Sequence, residues 1–329
     1  MQMSENWLQI ALRETSTLYG FQIDKLVTLG GGFENKMFGF QNRFVLRVTP
    51  PGHKTLDEVK AEIDWLVYLA ENHAPVVRVI PSRTENLVES VITDSGPISV
   101  VCFEWASGRI VTKEDFSPEL FKTWGETTGM LHRLTKDYKP LAKGRIQWFD
   151  DEYLDRRLIP SDQNRVLERF DSLIEHFKTK SISRDSYGLI HQDVHQDNLF
   201  LDRKNLTVLD FDDCVYGFFV FDIANALGFS IWEKPDNMTN REFADFYLKH
   251  FMEGYVRENQ LDESWKDDLP KALKLFEFIH YNAFNMDHDL AGEGSFEVID
   301  DKTKQILKMY RKSIEESLPY IENTFCPYK

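Results

Sequence analysis

The sequence predicts an α+β protein in two parts, a strand-rich part over residues 1–104 and a mainly helical part over residues 105–329. Two patterns support this prediction. Short β-type runs bounded by turn residues fill the first hundred positions, whereas long segments with helical periodicity follow them. The chain has 329 residues, of which 42% are hydrophobic, which is enough apolar material for a large core and favours two lobes over one.

The N-terminal part is predicted to hold two helices and five strands. An amphipathic segment at residues 4–18 ends at Gly20 and forms the first helix. Pro50, Pro51 and Gly52 break the third strand before a second helix at residues 56–72, which has apolar residues at helical spacing. The predicted strands are residues 21–29, 36–40, 44–48, 87–92 and 98–103. They form a meander followed by a hairpin, and thus a small antiparallel sheet.

The C-terminal part is predicted to be helical on both sides of a central pair of apolar runs. Those runs lie within residues 189–213 and are discussed below. The predicted helices are residues 118–134, 150–157, 163–178, 240–259, 265–289 and 302–323. Most of them have a stripe of apolar residues on one side, as expected of helices that pack on a core.

The composition excludes several classes of protein. A formal net charge of −15 and a pI near 5.1 leave no basic face for nucleic acid. The same charge could favour cationic substrates, although solubility alone also explains it. No segment approaches the roughly 20 apolar residues of a membrane span, and no signal peptide precedes the first helix. Three cysteines far apart in sequence fit a reducing cytosol, so a cytoplasmic protein without a membrane partner is expected.

The most informative stretch is residues 189–213, where two apolar runs frame two polar clusters. Asp193 precedes Asn198 by five residues, and Asp210 follows the next apolar run. This spacing is typical of phosphoryl transfer, in which an Asp accepts the proton of an attacking hydroxyl while an Asn and a later Asp hold magnesium. Magnesium prefers hard oxygen ligands, and it usually takes one or two carboxylates in addition to phosphate oxygens.

Two other interpretations of this stretch are possible. Asp and Asn are frequent in turns, so the residues could be turn formers without a catalytic role. His191, Asp193 and His195 alternate along one strand face and could bind zinc, although no Cys is near and no fourth ligand is evident.

The stretch resembles the catalytic loop of the aminoglycoside phosphotransferase and choline kinase group, the small-molecule branch of the protein-kinase-like fold. That loop has the pattern His-Gly-Asp-x-His-x-x-Asn, with a metal-binding Asp on the following strand. The matching residues are His191, Asp193, His195, Asn198 and Asp210. Gln192 departs from the pattern, because the family usually has Gly there.

The resemblance implies a two-lobe, protein-kinase-like fold that binds ATP and Mg²⁺. Asp193 would be the catalytic base, and Asn198 and Asp210 the metal ligands. Residues implied to bind the nucleotide lie in the N-terminal part, at the glycine loop, the third strand, the second helix and the hinge between lobes. They are Gly31, Gly32, Arg47, Glu62, Glu104 and Trp105. Arg47 stands where a kinase has Lys, and a pair between Arg47 and Glu62 is expected by analogy with the kinase Lys–Glu pair.

Further residues are implied to support the loop or to contact the substrate. His191, His195 and Asp222 match loop-supporting positions, although Asp222 could equally be a helix N-cap. Helices after the second metal ligand form the substrate pocket in this family. The candidates there are His280, Tyr281, Asn285 and Asp287.

The distance between Asp210 and Asp222 distinguishes kinase types. Only twelve positions separate them, which leaves no room for the long activation segment on which protein kinases bind a peptide. A small molecule with a hydroxyl group is therefore the expected acceptor. A protein Ser/Thr kinase of the same fold and a catalytically weak nucleotide-binding regulator remain alternatives.

Overall fold

The structure is a computed structural model that describes residues 6–29, 35–292 and 294–327. Its helices, in chain order, are α1 (Asn6–Tyr19), α2 (Leu56–Glu71), α3 (Pro118–Thr135), α4 (Asn164–Thr179), α5 (Phe219–Trp232), α6 (Asn240–Glu258), α7 (Trp265–Asp287), α8 (Asp301–Glu315) and α9 (Tyr320–Asn323). Its strands are β1 (Leu26–Thr28), β2 (Lys36–Phe40), β3 (Phe44–Thr49), β4 (Val79–Ile80), β5 (Glu89–Thr93), β6 (Gly96–Glu104), β7 (Arg109–Ile110), β8 (Tyr187–Ile190), β9 (Leu199–Asp202), β10 (Asn205–Val208) and β11 (Val215–Phe218).

The chain divides into two compact units. The first comprises Met1–Arg109, Asp137–Arg145 and Phe200–Asp212, and the second comprises Ile110–Lys136, Ile146–Leu199 and Asp213–Lys329. The stretch that contains the predicted catalytic loop therefore passes from the second unit to the first.

The first unit is built on an antiparallel sheet in the order β1-β2-β3-β6-β4, with β5 also paired to β6. The five predicted strands are found, although the first is confined to Leu26–Thr28 because Ile23–Lys25 form a 3₁₀ turn. The two-residue strand β4 joins them at the sheet edge. Apolar side chains of β3, β5 and β6 pack with those of α1 into a core that includes Leu46, Val48, Val100 and Ala11. Helix α2 begins with a capping box between Thr55 and Glu58, which satisfies backbone N–H groups at its first turn.

The second unit is mainly helical, with β8 and β11 paired antiparallel. Helices α3 and α6 pack closely, because a glycine of each helix lies against the backbone of the other where they cross. A Cβ on Gly125 would lie 1.9 Å from the carbonyl oxygen of Phe251, and one on Gly254 would lie 1.9 Å from that of Lys122. The hairpin of β9 and β10, which continues into a three-stranded sheet with β7, belongs mostly to the first unit.

One helix prediction was wrong, and another was right only in part. Residues 150–157 form short 3₁₀ turns, Glu152–Leu154 and Arg156–Leu158 among them. Asp151 and Asp155 accept hydrogen bonds from the N–H groups two residues later, and such local bonds compete with an α-helix. The predicted helix at 302–323 is interrupted, since Ser317 has a φ of 52° and Pro319 follows it.

Within residues 6–29, 35–292 and 294–327, no helix is both long enough and apolar enough to span a membrane.

Candidate active site

The site residues of the second unit lie on the loop between β8 and β9. Strand β8 ends directly before His191, and the 3₁₀ turn Gln196–Asn198 is followed directly by β9. The loop brings Asp193, His195 and Asn198 into one hydrogen-bonded cluster. Asn198 Nδ2 donates to the main-chain oxygen and to Oδ2 of Asp193, at 2.9 Å each. His195 Nε2 is 3.2 Å from the same Oδ2.

The two oxygens of the Asp193 carboxylate have different surroundings. Oδ2 is held by His195 and Asn198, whereas Oδ1 accepts no hydrogen bond from the described residues. The side chain is 31% exposed, so Oδ1 can receive a bond from a bound molecule. Burial would raise the pKa of Asp193, but the charges of His195 and His191 and the hydrogen bonds from His195 and Asn198 outweigh it and lower this pKa to about 2.

His195 is held by contacts at both ring nitrogens and at the ring face. Its Nδ1 is 3.3 Å from the backbone N of Asp197 and 3.6 Å from Asp197 Oδ2. Its Nε2 faces the Asp193 carboxylate. The ring also stacks on Phe229 with centroids 4.2 Å apart. These contacts fix the ring with Nε2 directed at Asp193.

Asp222 lies beneath this loop and is fully buried. Its Oδ2 accepts from the N–H of His191 at 3.1 Å, and its Oδ1 accepts from that of Gln192 at 2.8 Å. The N-cap of α5 is Phe218 and not Asp222, so the N-cap alternative was wrong. A carboxylate with two backbone donors fixes the entry to the loop.

His132, buried on α3, has two polar partners. Its Nε2 is 2.9 Å from Asp222 Oδ2 and its Nδ1 is 2.7 Å from Tyr255 Oη. Asn259 Nδ2 also donates to that hydroxyl oxygen. The chain of contacts joins α3, α5 and α6 behind the loop. No sequence pattern could have revealed it, because His132 and Asp222 are 90 residues apart.

The first unit contains Arg47, Glu62, Asp210 and Asp212. Arg47 donates from both terminal nitrogens to the two oxygens of Glu62, at 2.8 and 2.6 Å, as the sequence predicts. Arg47 Nε, also buried, has no partner among the described residues. Asp210 lies in the left-handed region with a φ of 57°, and it contributes with Glu62 and Asp212 to raising the pKa of Arg47 against the effect of burial.

Asp212 was missed by sequence reasoning, although it stands two positions after Asp210. Its Oδ2 accepts from Asn35 Nδ2 at 2.9 Å and lies 3.4 Å from His53 Nε2. Burial would raise its pKa, but the bond from His53 and the charge of Arg47 lower it well below its usual range. The signal was a second acidic residue two positions after a metal-ligand candidate.

The remaining nucleotide candidates lie in the first unit or outside the described residues. Gly31 and Gly32 belong to residues 30–34, which the structure does not describe. The N–H of Glu104 donates to Arg78 O at 2.8 Å and that of Trp105 donates to Arg43 O at 3.0 Å. The main-chain N–H groups of these two residues are therefore not available to a ligand.

The substrate candidates all lie on α7 but are not brought together. His280 Nδ1 donates to Phe276 O, and burial lowers the pKa of this imidazole to about 4. Tyr281 is buried and donates its hydroxyl to Gln163. Asn285 is buried, with Nδ2 unpartnered among the described residues. Asp287 is exposed at the helix end, roughly 10 Å along the axis from His280.

The oxygen atoms of the metal-ligand candidates, Asn198 and Asp210, are of the kind that a hard cation prefers. Asn198 uses its nitrogen for Asp193, which leaves its amide oxygen as a ligand. Among the described residues, no group of three or more His, Cys, Asp or Glu is arranged to hold a metal. This finding does not favour a zinc site at His191, Asp193 and His195.

Comparison with known proteins identifies the family. Residues 25–266 match the model of the phosphotransferase enzyme family, APH. The amicoumacin kinase of Bacillus subtilis (strain 168) is 32% identical over 317 residues, which cover 94% of this chain and 92% of that protein. The structure of amicoumacin kinase hAmiN in complex with AMP-PNP, Ca²⁺ and Ami is 30% identical, covers 94% of each chain and has a TM-score of 0.87.

A more distant likeness concerns the fold alone. A microcompartment-associated aminopropanol kinase is 20% identical, covers 96% of this chain and 99% of that chain, and has a TM-score of 0.74. The chain therefore belongs to the phosphotransferase enzyme family, with the protein-kinase-like fold, and is an ATP-dependent phosphotransferase that acts on a hydroxyl group of a small molecule.

Proposed function

We propose that this enzyme transfers the γ-phosphate of ATP to a hydroxyl group of a small alcohol that also carries an amine, and that amicoumacin is the first acceptor to test. The relative that shares 32% of its sequence over nearly the whole chain is an amicoumacin kinase. The formal charge of −15 also suits a cationic acceptor, since opposite charge favours encounter.

Asp193 is the base in this proposal, and its geometry is the observation that carries the proposal. His195 and Asn198 hold Oδ2 and leave Oδ1 available. An acceptor hydroxyl that donates to Oδ1 would have its oxygen oriented towards the γ-phosphate. A carboxylate with a pKa of about 2 is a weak base, so orientation of the nucleophile is its main contribution. It takes the proton as the new oxygen–phosphorus bond forms and ADP leaves.

Asn198 and Asp210 would hold Mg²⁺ in this proposal. The free amide oxygen of Asn198 and the carboxylate of Asp210 are the oxygen donors that magnesium prefers. When bound, the ion would neutralise negative charge on the phosphate oxygens. His191, His195 and Asp222 support the loop, since Asp222 binds the backbone at its entry.

The nucleotide would be held by residues of the first unit. The Arg47 guanidinium, fixed by Glu62, supplies a permanent positive charge for the phosphates. Gly31 and Gly32 would let backbone N–H groups approach them. The N–H groups of Glu104 and Trp105 are already used, so adenine would bond the Glu104 carbonyl and the N–H of Ala106.

The acceptor would be selected by α7. His280 is neutral because its pKa is about 4, and Asp193 and His195 are near enough to influence it. Its Nε2 can therefore accept a hydrogen bond from an acceptor that reaches Asp193. Tyr281, Asn285 and Asp287 are further candidates, of which Asn285 has the unpartnered buried nitrogen. We further propose that the reaction takes place in the cytosol, where three free cysteines stay reduced.

A substrate screen tests this function. The purified enzyme is incubated with MgATP and, separately, amicoumacin, aminopropanol, a simple sugar and a mixed-protein substrate, and each product is weighed by mass spectrometry. We expect one phosphoryl group on an amine-bearing alcohol, with amicoumacin first. Phosphorylation of protein alone would establish the protein-kinase alternative, and nucleotide binding without any transfer would establish the regulator.

A further inference from the structure

The segment Asp137–Arg145 packs against α2, within the first unit. Asp64, on α2, accepts three hydrogen bonds from it through one oxygen. The donors are Tyr138 Oη at 2.6 Å, Leu141 N at 2.8 Å and Ala142 N at 3.3 Å. The Tyr138 ring also lies against that of Tyr68, with centroids 5.1 Å apart. The segment is thus fastened to the helix that carries Glu62.

Arg145, the last residue of this segment, contacts two different elements. Its Nη1 is 3.3 Å from the carbonyl oxygen of Glu58, in the first turn of α2. Its Nη2 donates to the carbonyl oxygen of Asp212 at 2.6 Å. Glu58 lies one turn before Glu62, and Asp212 follows Asp210 by two positions. The Arg145 guanidinium therefore connects α2, whose Glu62 binds Arg47, to the turn that contains Asp210.

The backbone before Arg145 is also constrained. A Cβ at Gly144 would lie 2.5 Å from the carbonyl oxygen of Asp57 and 2.9 Å from Glu58 N. Both are main-chain atoms of the capped start of α2, which cannot move aside easily. Glycine at this position lets the segment approach the helix closely enough for Arg145 to reach Glu58 and Asp212.

The turn after Asp210 is held at three points, of which Arg145 holds the main chain. Phe211 packs edge-on against Trp65 of α2, with ring centroids 5.4 Å apart. The Asp212 carboxylate is held by Asn35 and His53. The main chain at Asp212 has Arg145 as its charged donor, and hydrogen bonds from charged groups are stronger than neutral ones. Loss of that donor would free the backbone two residues from Asp210.

We propose that Arg145 is a positioning residue for phosphoryl transfer, which sets Asp210 and the Arg47–Glu62 pair at a fixed separation without contacting the substrate itself. This inference rests on the proposed roles of Asp210, Arg47 and Glu62. Its consequence is specific: the loss of Arg145 affects the metal–nucleotide step and leaves acceptor binding unchanged.

The test compares Arg145→Ala with wild type and with Arg157→Ala. Arg157 is an exposed arginine whose carboxylate partner is the nearby Asp155, so it controls for loss of one surface charge. Calorimetry with a non-hydrolysable ATP analogue measures nucleotide affinity over a magnesium titration, and steady-state kinetics measure the KM of each substrate. We expect Arg145→Ala to weaken magnesium-dependent nucleotide binding about tenfold, within the usual effect of a charged hydrogen bond, with the KM of the acceptor unchanged.

Two further variants separate positioning from general stability. Arg145→Lys keeps the charge but cannot bond both carbonyl groups, so its affinity should lie between those of wild type and Arg145→Ala. Gly144→Ala keeps Arg145 but displaces its backbone, and it should reproduce the nucleotide defect. Circular dichroism and thermal unfolding establish that each variant is folded at the assay temperature.

The outcomes are distinct. Wild type that binds no nucleotide would reject the proposed function itself. Normal nucleotide affinity in a folded Arg145→Ala protein, or an equal loss in Arg157→Ala, would overturn the role of Arg145. A variant whose nucleotide and acceptor KM rise together would also overturn it, because that pattern indicates general loosening of the fold.

Discussion

At the scale of single residues, the loop binds one oxygen of the Asp193 carboxylate and leaves the other available. Asn198 and His195 both bind Oδ2, so the residues that hold the side chain do not compete with a hydroxyl at Oδ1. These same partners lower the pKa of Asp193 to about 2 in spite of burial. The carboxylate is therefore ionised at every pH at which the enzyme would work.

The lowered pKa of Asp193 predicts a pH dependence of stability. The folded state holds the carboxylate with a pKa of about 2, against an ordinary value of 3.8. The unfolded chain thus takes up a proton first, so the stabilisation by ionised Asp193 is complete above about pH 5 and is lost as the pH falls through 3.8 towards 2. Asp193→Asn lacks this contribution at every pH.

Urea unfolding of wild type and Asp193→Asn at about pH 6 and about pH 3 measures this effect. The free energy of unfolding of wild type should approach that of the variant at the lower pH. Asp202→Asn, at an exposed position outside the cluster, is the control and should follow wild type. A difference between wild type and Asp193→Asn that is the same at both pH values would contradict the assigned pKa shift.

Gln192 shows how a residue can depart from a family pattern for a visible physical reason. The position has a φ of 71°, a left-handed conformation that Gly adopts without strain and that other residues adopt at a cost of roughly 1 kcal/mol. The family Gly is explained by this backbone. Gln192 keeps the same backbone, since its N–H still reaches Asp222 at 2.8 Å.

At the scale of elements, the Arg47–Glu62 ion pair joins β3 to α2 in the first unit. Arg47 and Glu62 are both buried and form two parallel hydrogen bonds. A buried ion pair contributes little compared with apolar residues of the same shape, but the removal of one partner leaves an uncompensated charge. The pair therefore fixes the orientation of α2 more than it increases stability.

Glu62→Gln tests this pair. The substitution keeps the size of the side chain but leaves the Arg47 charge without its carboxylate, so we expect a loss of about 3–5 kcal/mol in the free energy of unfolding. The affinity for MgATP should fall as well, because Arg47 is no longer fixed. Denaturant unfolding and calorimetry measure the two effects.

Glu71→Gln, at the exposed end of the same helix, is the matched control and should resemble wild type. If Glu62→Gln unfolds with wild-type free energy and binds MgATP normally, neither the structural nor the nucleotide role of this pair survives.

Local sequence patterns predicted most elements but not the contacts between them. Helix α2 followed from its apolar spacing and the break at Pro50–Gly52. The pair of Arg47 with Glu62 followed from the resemblance to kinases, whose order of strand and helix this sequence shares. Partners far apart in sequence could not be foreseen, such as Arg145 with Asp212, 67 positions away. The helix prediction for residues 150–157 failed because the side chains of Asp151 and Asp155 accept hydrogen bonds from backbone N–H groups two residues later. Helical periodicity does not reveal such local bonds.

At the scale of the whole molecule, the two compact units each contain different residues of the proposed active site. The second unit holds Asp193, Asn198 and Asp222, and the first holds Arg47, Glu62 and Asp210. This division was not foreseen, because Asp193 and Asp210 both follow residue 104 and were expected in the same C-terminal lobe. The acceptor could not be predicted from the candidates on α7 either, because the sequence does not show that His280 is buried and that Asp287 is exposed at the helix end.

The central claim is that Asp193 orients and deprotonates the acceptor, and the turnover of Asp193→Asn tests it most directly. With the acceptor identified by the screen, kcat is measured beside the affinity for MgATP. The account predicts a fall in kcat of ~10²-fold or more with nucleotide affinity retained and with Asp202→Asn unaffected. Wild-type turnover in Asp193→Asn would contradict it.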